Sequence, residues 1–373
     1  MPTLISNWGR NARMFAEWSA PQTFENYSLN KPIIPRGLGR SYGDCALFSS
    51  ILSTENCRYF HEFDEEKGIL ICDSGVSLAT ILSLIVPKGW FLSVTPGTKF
   101  VTVGGAIAAN VHGKNHHQCG SFGEHTLEIG LWLPDSGVVE CSRYQRADLF
   151  HATCGGMGLT GAIVWAKLQL IPIGSSWIEQ TQIRTRDLSD TLETLQRHAT
   201  STYTVAWIDT LATGKDQGRG WVMVGEHSDN GDYSFACGSH LSVPNNTPNL
   251  LNRFSIKLFN DLYRRYPKGN CLHACVPLDR FFYPLDRIHA WNRLYGQKGF
   301  LQYQCVVPFE GGDMLLKQLL FAITNAGLGA FLSVLKILGQ GAASPNSLSF
   351  PISGYTLALD LPNAPITWQL SPI

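Results

Sequence analysis

The sequence predicts a mixed α and β chain organised as two domains, the second built on an antiparallel or mixed sheet. Three observations carry this expectation. The chain has 373 residues, a length typical of about two domains. Its composition changes around Ile173–Ser176. Toward the C-terminus, patterns for a strand, a helix and two further strands follow one another. Hydrophobic residues make up 44%, enough for a core without a disulfide framework.

In chain order, Lys31–Pro35 reads as a short extended run closed by proline, and the glycine-rich Arg36–Asp44 follows it. Gly68–Asp73 (GILICD) has a strand pattern. Ser77–Pro87 is helical, with Leu78, Ile81, Leu82 and Ile85 on one face. Leu127–Pro134 and Val138–Cys141 flank Asp135-Ser136-Gly137 as a hairpin. Ala147–Thr153 reads as helix and Ala162–Ile171 as strand. Past the composition change, Tyr203–Asp209 and Trp221–Glu226 are strands, and Ser242–Asn252, rich in Pro and Asn, is a loop. Leu250, Phe254, Leu258 and Leu262 then recur every fourth residue on a helix that also carries Arg253, Lys257, Arg264 and Arg265. Two readings of that row stay open: core packing, or a basic amphipathic helix on a membrane surface. Phe300–Val307, Phe331–Leu338 and Tyr355–Leu361 are strands, with a helix at Asp313–Ala326.

Charged residues are 16% of the chain, and Lys plus Arg equal Asp plus Glu at 29 each. Nucleic-acid binders carry a basic surplus or stripe, so no nucleic-acid partner is expected. The cysteines at 45, 57, 72, 119, 141, 154, 237, 271, 275 and 305 form no CxxC pair. That argues against a zinc ribbon and for buried thiols in a reducing compartment. Residues 1–15 lack the basic start and apolar core of a signal peptide. No stretch reaches the ~18 apolar residues of a membrane helix. The expected location is cytoplasmic, with peripheral contact at the inner membrane left open.

Two segments carry chemistry. Arg36-Gly37-Leu38-Gly39-Arg40-Ser41-Tyr42-Gly43-Asp44 is dense in glycine. Such a loop can turn backbone N–H groups toward phosphate oxygens, with Arg36 and Arg40 adding charge where a diphosphate needs it. A simple tight turn is the other reading. Pro96–Gly123 follows Thr102-Val103-Gly104-Gly105 with small residues, then His112, Gly113, Lys114, Asn115, His116 and His117. Small residues at a helix start let a dinucleotide lie close, or let the helix pack tightly on a sheet. His112, His116, His117 and His125 lack a fixed ligand set, so no metal is expected. Gly156, Gly158 and Gly161 spell GxGxxG, but a helix precedes them and a strand follows, the reverse of a dinucleotide-binding unit. Lys336 shares one strand face with Val334 and Leu338, and Gln302 and Gln304 share one face of theirs. Polar side chains on apolar strands predict a substrate pocket over a sheet, or a solvated face.

These segments, in this order with GSFGEH, GGMGLTG, SNWGR, WNRLYG, GFLQYQ and LSFPISGY, resemble the FAD-linked oxidases of the vanillyl-alcohol oxidase type. The likeness runs to about Pro362. It implies an α+β fold: a PCMH-type FAD-binding domain over residues 1–174, and a substrate domain over 175–373 with an antiparallel sheet flanked by helices. FAD contacts then fall on Arg36, Gly37, Leu38, Gly39, Arg40, Ser41, Tyr42, Gly43, Asp44, Gly97, Thr102, Val103, Gly104, Gly105, His112, Gly113, Lys114, Asn115 and Ile163. Tyr42, His112, Lys114 and Lys336 fall at catalytic positions. Gln302, Gln304, Lys336 and Phe282 fall at substrate positions, Phe282 standing where the family has tyrosine. Relatives with covalent flavin use a histidine in the first glycine loop; Arg40 stands there, so FAD is expected to be non-covalent.

The implied reaction is hydride transfer from a secondary sugar carbinol to flavin N5. The implied substrate is a polyprenylphosphoryl-β-D-ribose oxidised at its 2'-hydroxyl for lipid-linked arabinose, with a short-chain reductase acting on the keto product. A soluble alditol or aldonolactone is the alternative, and an inactive fragment a second one. Thr356 and Ala358 stand where relatives place Asn and Cys, so inhibitors that trap that cysteine are not expected to label this chain. Family members continue past LALDLP with a return to the flavin domain that brings a Tyr to FAD and a Lys to the active site. This sequence closes with NAPITWQLSPI. A truncated product with weakened FAD retention and low activity is the expectation.

Overall fold

Alternating apolar residues and glycine turns organise the chain into sheets, seen in a computed structural model that describes residues 2–24, 31–235, 241–266, 268–340, 348–365 and 367. Cys237 and most of the C-terminal NAPITWQLSPI lie outside the described residues. The first sheet is mixed. β1 (Thr3–Ser6) pairs antiparallel with β2 (Arg13–Ser19), and both β2 and β3 (Ile34–Arg36) run parallel to β4 (Ser50–Ser53) between them.

The second sheet is antiparallel. It comprises β5 (Phe60–Asp64), β6 (Ile69–Asp73), β7 (Trp90–Leu92), β8 (Thr126–Leu133), β9 (Gly137–Ser142) and β10 (Ala162–Pro172). Its order is β5-β6-β10-β8-β9, with β7 paired to the end of β10. The expected hairpin is β8 and β9, in register from Glu128 opposite Ser142 to Leu133 opposite Gly137. On this sheet lie α1 (Leu78–Ile85), α2 (Val103–Ala108) and α4 (Ala147–Thr153), whereas the single-turn α3 (His116–Cys119) packs against a later strand that ends just before Gly339. The Ser77 side chain caps α1 by accepting from the Thr80 N–H, and Leu78, Ile81, Leu82 and Ile85 are buried on its inner face.

The next strands are β11 (Trp177–Thr185), β12 (Tyr203–Ile208), β13 (Gly220–His227), the two-residue β14 (Leu241–Ser242), β15 (Cys271–Pro277), the two-residue β16 (Ile288–His289), β17 (Phe300–Val307), β18 (Ser333–Leu338) and β19 (Gly354–Pro362). β14 and β16 pair with each other. The rest form a seven-stranded antiparallel sheet, β15-β11-β13-β12-β18-β19-β17. The helices here are α5 (Leu188–Arg197), α6 (Arg253–Arg265), α7 (Leu278–Phe282) and α8 (Gly312–Asn325). Leu335, Ile337, Leu357, Leu359 and Leu361 pack against Leu188, Leu192 and Leu195 of α5 and Leu316, Leu320 and Ile323 of α8. Helices therefore cover one face of β17–β19 and leave the opposite face, with its glutamines and lysine, to a different neighbour.

The structure matches the α+β class, and most strands and helices read from the sequence are present. One element resolves an open reading. On α6 the buried positions are Ile256 and Asn260, while Phe254, Leu258 and Leu262 face outward. Core packing of that apolar row is therefore wrong. The GxGxxG glycines form the turn between α4 and β10, where the Gly155 and Met157 N–H groups donate to Ile107 and Ala108 carbonyls. Among the described residues, no helix is long and apolar enough to cross a membrane.

Leu357 is fully buried between β18 and the helices. Leu357→Ala is expected to lower unfolding free energy by about 2–5 kcal/mol, read from urea denaturation.

Candidate active site

Strand register assembles the polar face. Gln302 of β17 lies opposite Asp360 of β19, Gln304 opposite Ala358, and Lys336 of β18 opposite Thr356. Directly opposed residues share a face. One surface of the sheet therefore carries Gln302, Gln304, Lys336, Thr356 and Asp360. The segment after α2 closes over it: the Thr204 N–H of β12 donates to the Lys114 carbonyl, and the Gly339 N–H beyond β18 donates to His116 Nδ1.

His112 is the point of contact. Its Nδ1 lies 2.9 Å from Lys336 Nζ and its Nε2 lies 3.1 Å from Gln304 Nε2. The hydrogen-bond inventory assigns the protons. The Thr356 hydroxyl donates to the Cys305 carbonyl, so it accepts from the Gln304 amide. The second amide proton of Gln304 then points to His112 Nε2, which must accept. His112 carries its proton on Nδ1 and donates to Lys336, which must be a neutral amine and donates in turn to the Gly113 carbonyl. The electrostatics agree. Burial, then the charge of Lys114, lowers the Lys336 pKa to about 7. Burial foremost holds His112 well below its usual value, and so neutral.

The other end of the face is acidic. Asp360 is fully buried; its Oδ1 accepts from Gln302 at 3.0 Å and its Oδ2 has no partner among the described residues. Burial raises its pKa to about 7, with the Gln302 hydrogen bond opposing. Tyr42 stands beside it: burial, then the Asp360 charge, pushes the phenol pKa up, and Gln302 faces both groups. The Tyr42 ring packs edge-on against Phe300 at 5.7 Å. Asp360 was missed at the sequence level. The available signal was an acid alternating with Thr356 and Ala358 in the apolar strand GYTLALDLP.

The glycine loop lies against α2. A side chain at Gly37 would meet Thr102 Oγ1 at 2.3 Å, so only glycine allows this approach. From Gly37 to Asp44, no backbone N–H donates to another described residue. Gly43 and Gly97 border open space. A run of unspent N–H groups beside open space fits an anionic, phosphate-bearing group. Arg40 adds charge nearby, its guanidinium 4.0 Å over the Trp8 ring. Leu38 is partly exposed, and Ser41 offers its carbonyl to the Trp8 N–H.

The other expected site residues have these surroundings. Arg36 braces the loop rather than facing a ligand: its guanidinium donates to the Ala46 and Ser6 carbonyls, each at 2.8 Å. At the start of α2 the Val103, Gly104 and Gly105 N–H groups donate to Val76 O, Ser74 O and Thr102 Oγ1, so a cofactor here would meet Cα atoms and side chains rather than free N–H groups. The α2 glycines serve close packing on Ser74. Asn115 is buried and donates to the Ser93 carbonyl. Ile163 is a core residue of β10. Phe282 is not on the polar face. It is 1% exposed, packed among Phe91, Tyr203 and Phe281, because α7 turns both of its phenylalanines into the aromatic core. Lys114 points the same way, its amine 3.2 Å from the Phe282 carbonyl and 5.4 Å from the Phe281 ring centre, with burial lowering its pKa to about 8. His117 and His125 are tied to the Ser201 and Cys119 carbonyls.

A glycine loop with unspent N–H groups beside a polar sheet face fits a flavin oxidoreductase. Known proteins match it. The family described as FAD binding domain matches residues 25–142. The decaprenylphosphoryl-β-D-ribose oxidase of Mycolicibacterium smegmatis is 35% identical over 349 residues, 88% of this chain and 74% of that protein. An uncharacterised Streptomyces coelicolor protein is 35% identical over 314 residues, 77% of this chain and 81% of its own length. The human delta(24)-sterol reductase is 31% identical over 111 residues, 30% of this chain and 22% of that enzyme. The chain is an FAD-dependent oxidoreductase acting on CH–OH groups, with FAD as its cofactor. It belongs to the family of FAD-linked oxidases that includes the M. smegmatis decaprenylphosphoryl-β-D-ribose oxidase.

The two shifted groups at the face act oppositely on stability. Lys336 is depressed from 10.5 to about 7, so in that window the unfolded chain binds more protons and stability rises with pH. Asp360 is raised from 3.8 to about 7, so between those values the folded chain binds more protons and stability falls as pH rises. Melting temperature against pH is expected to lose the alkaline slope in Lys336→Met and the acidic slope in Asp360→Asn.

Proposed function

We propose that this chain oxidises a secondary hydroxyl of a lipid-linked sugar, the 2'-hydroxyl of a polyprenylphosphoryl-β-D-ribose, using non-covalent FAD. In this reading residues 1–174 bind the flavin and residues 175–373 bind the sugar. The observation that carries it is the neutral Lys336–His112 pair on a sheet face lined by two glutamines. Bound FAD supplies N5 as the hydride acceptor. The Gly37–Asp44 loop holds the diphosphate with its free N–H groups, and Arg40 offsets part of its charge. The lack of histidine in that loop supports a non-covalent cofactor.

As the carbinol loses hydride, its hydroxyl must lose a proton. Lys336 Nζ takes that proton once its single lone pair turns from the His112 Nδ1–H to the substrate hydroxyl, while the Gly113 carbonyl holds the amine in place. Gln302 and Gln304, whose amide hydrogens are committed to Asp360 and to Thr356 and His112, accept from sugar hydroxyls through their amide oxygens, and Tyr42 orients the hydroxyl from the Asp360 side. The keto product then becomes the substrate of a reductase.

Two measurements test this. Purified protein supplied with FAD is expected to show a flavin visible spectrum that bleaches anaerobically with a short polyprenylphosphoryl-β-D-ribose. A protein that stays colourless, or a flavin that does not bleach, defeats the proposal. The base must be unprotonated, so kcat/KM should rise with pH through about 7, the Lys336 value. Lys336→Met is expected to lower kcat/KM by roughly 10²–10⁴-fold and to erase that limb.

A further inference from the structure

The outer face of α6 carries an apolar row that the fold does not cover. Phe254 is 86% exposed, Leu258 62% and Leu262 48%. At 3.6 residues per turn these positions form one line, and the exposed Lys257 and Arg265 flank it. Leu250 before the helix and Tyr266 after it extend the exposed apolar surface at both ends. Fraying does not explain the exposure, because the inner face is pinned. Asn252 caps the helix by accepting from the Phe254 and Ser255 N–H groups. Asn260 donates to Asp209 at 2.7 Å, Phe259 packs on Phe331, and Tyr263 packs on Trp207.

Charge chooses the occupant. Arg253, Lys257, Arg265 and Lys268 are exposed over this stretch, while Arg264 is turned back to the Thr185 carbonyl; the one acid, Asp261, lies 3.6 Å from Arg219. An apolar line with cations beside it matches the headgroup–acyl boundary of an anionic bilayer. A protein partner would need a carboxylate set placed to meet it; a lipid surface supplies anions everywhere. The location agrees. Ile256 belongs to one apolar cluster with Trp291, Tyr295 and Phe300, and Phe300 packs on Tyr42. One apolar cluster thus joins the inner face of the helix to the Tyr42 end of the active site.

We propose that the outer face of α6 docks on an anionic lipid bilayer, which brings the site to a sugar whose lipid tail stays in the membrane. The purpose assigned to docking rests on the lipid-linked sugar reading; the docking itself does not. The test is sedimentation of the full FAD-supplied chain with phosphatidylcholine vesicles, with and without phosphatidylglycerol, at low and high salt and without any sugar. The chain is expected to sediment with the phosphatidylglycerol vesicles at low salt, and roughly tenfold less with phosphatidylcholine alone or at high salt. Phe254→Glu and Leu258→Glu should abolish binding. Lys257→Glu combined with Arg265→Glu should weaken it about tenfold or more. All variants should keep the flavin spectrum and melting temperature of the unaltered chain.

A chain that stays in the supernatant, or variants that sediment like it, overturns the proposal. So does a dimer in light scattering that Phe254→Glu dissociates, since the face would then meet a second copy. Because no turnover is read, vesicle binding without sugar oxidation removes only the functional reading. Sugar oxidation without vesicle binding removes only the docking.

Discussion

The site depends on His112 being held from both ring nitrogens by two different strands. Lys336 comes from β18 and Gln304 from β17, while His112 belongs to the segment that leaves α2. This bridge is where the flavin-family half of the chain meets the large antiparallel sheet. With the Gln304 amide turned to donate to Thr356 and His112, the proton pattern calls for a neutral lysine. A buried ammonium in the same place would put two donors nose to nose. Burial and hydrogen bonding thus reach the same answer by separate routes.

Around that bridge the molecule divides polar groups by task. Glycines and N–H groups gather at the Arg36–Asp44 loop, where the backbone is unspent. Ionisable side chains gather on the sheet face. Buried Lys99 pairs with Asp279, and Asp286 accepts from Thr98 and the Lys99 N–H. These contacts tie the start of the Pro96–Gly123 segment to the elements that follow β15. The aromatic cluster of Phe91, Tyr203, Phe281 and Phe282 fills the same seam with apolar area. The ion pairs give the seam direction, and the aromatics give it most of its burial.

Legibility in the sequence followed local signal strength. The β8–β9 hairpin, α1 and β10 were readable because apolar periodicity and turn residues agree there. β11 and β15 were not: WIEQTQIRT and CLHACVP carry polar or exposed residues on both faces, so neither period stands out. Among site residues, Lys336, Gln302 and Gln304 announced themselves as polar groups in apolar strands. Asp360 obeyed the same rule and was passed over among its leucines. Arg36 was expected at a ligand from its charge and Phe282 from the family's tyrosine position, while their rotamers and neighbours are tertiary facts.

The sequence by itself determined the class of protein. Ordered motifs name a flavin-binding family, and strand alternation places three polar side chains on common faces, because both depend on residues close in the chain. Only the tertiary structure decided which of those groups meet. Lys336 and His112 stand 224 positions apart, and no local pattern encodes their contact. The same holds for α6. Its periodicity predicted a helix with an apolar row, but which side faces the core depends on Asp209, Trp207 and Phe331 holding the opposite face.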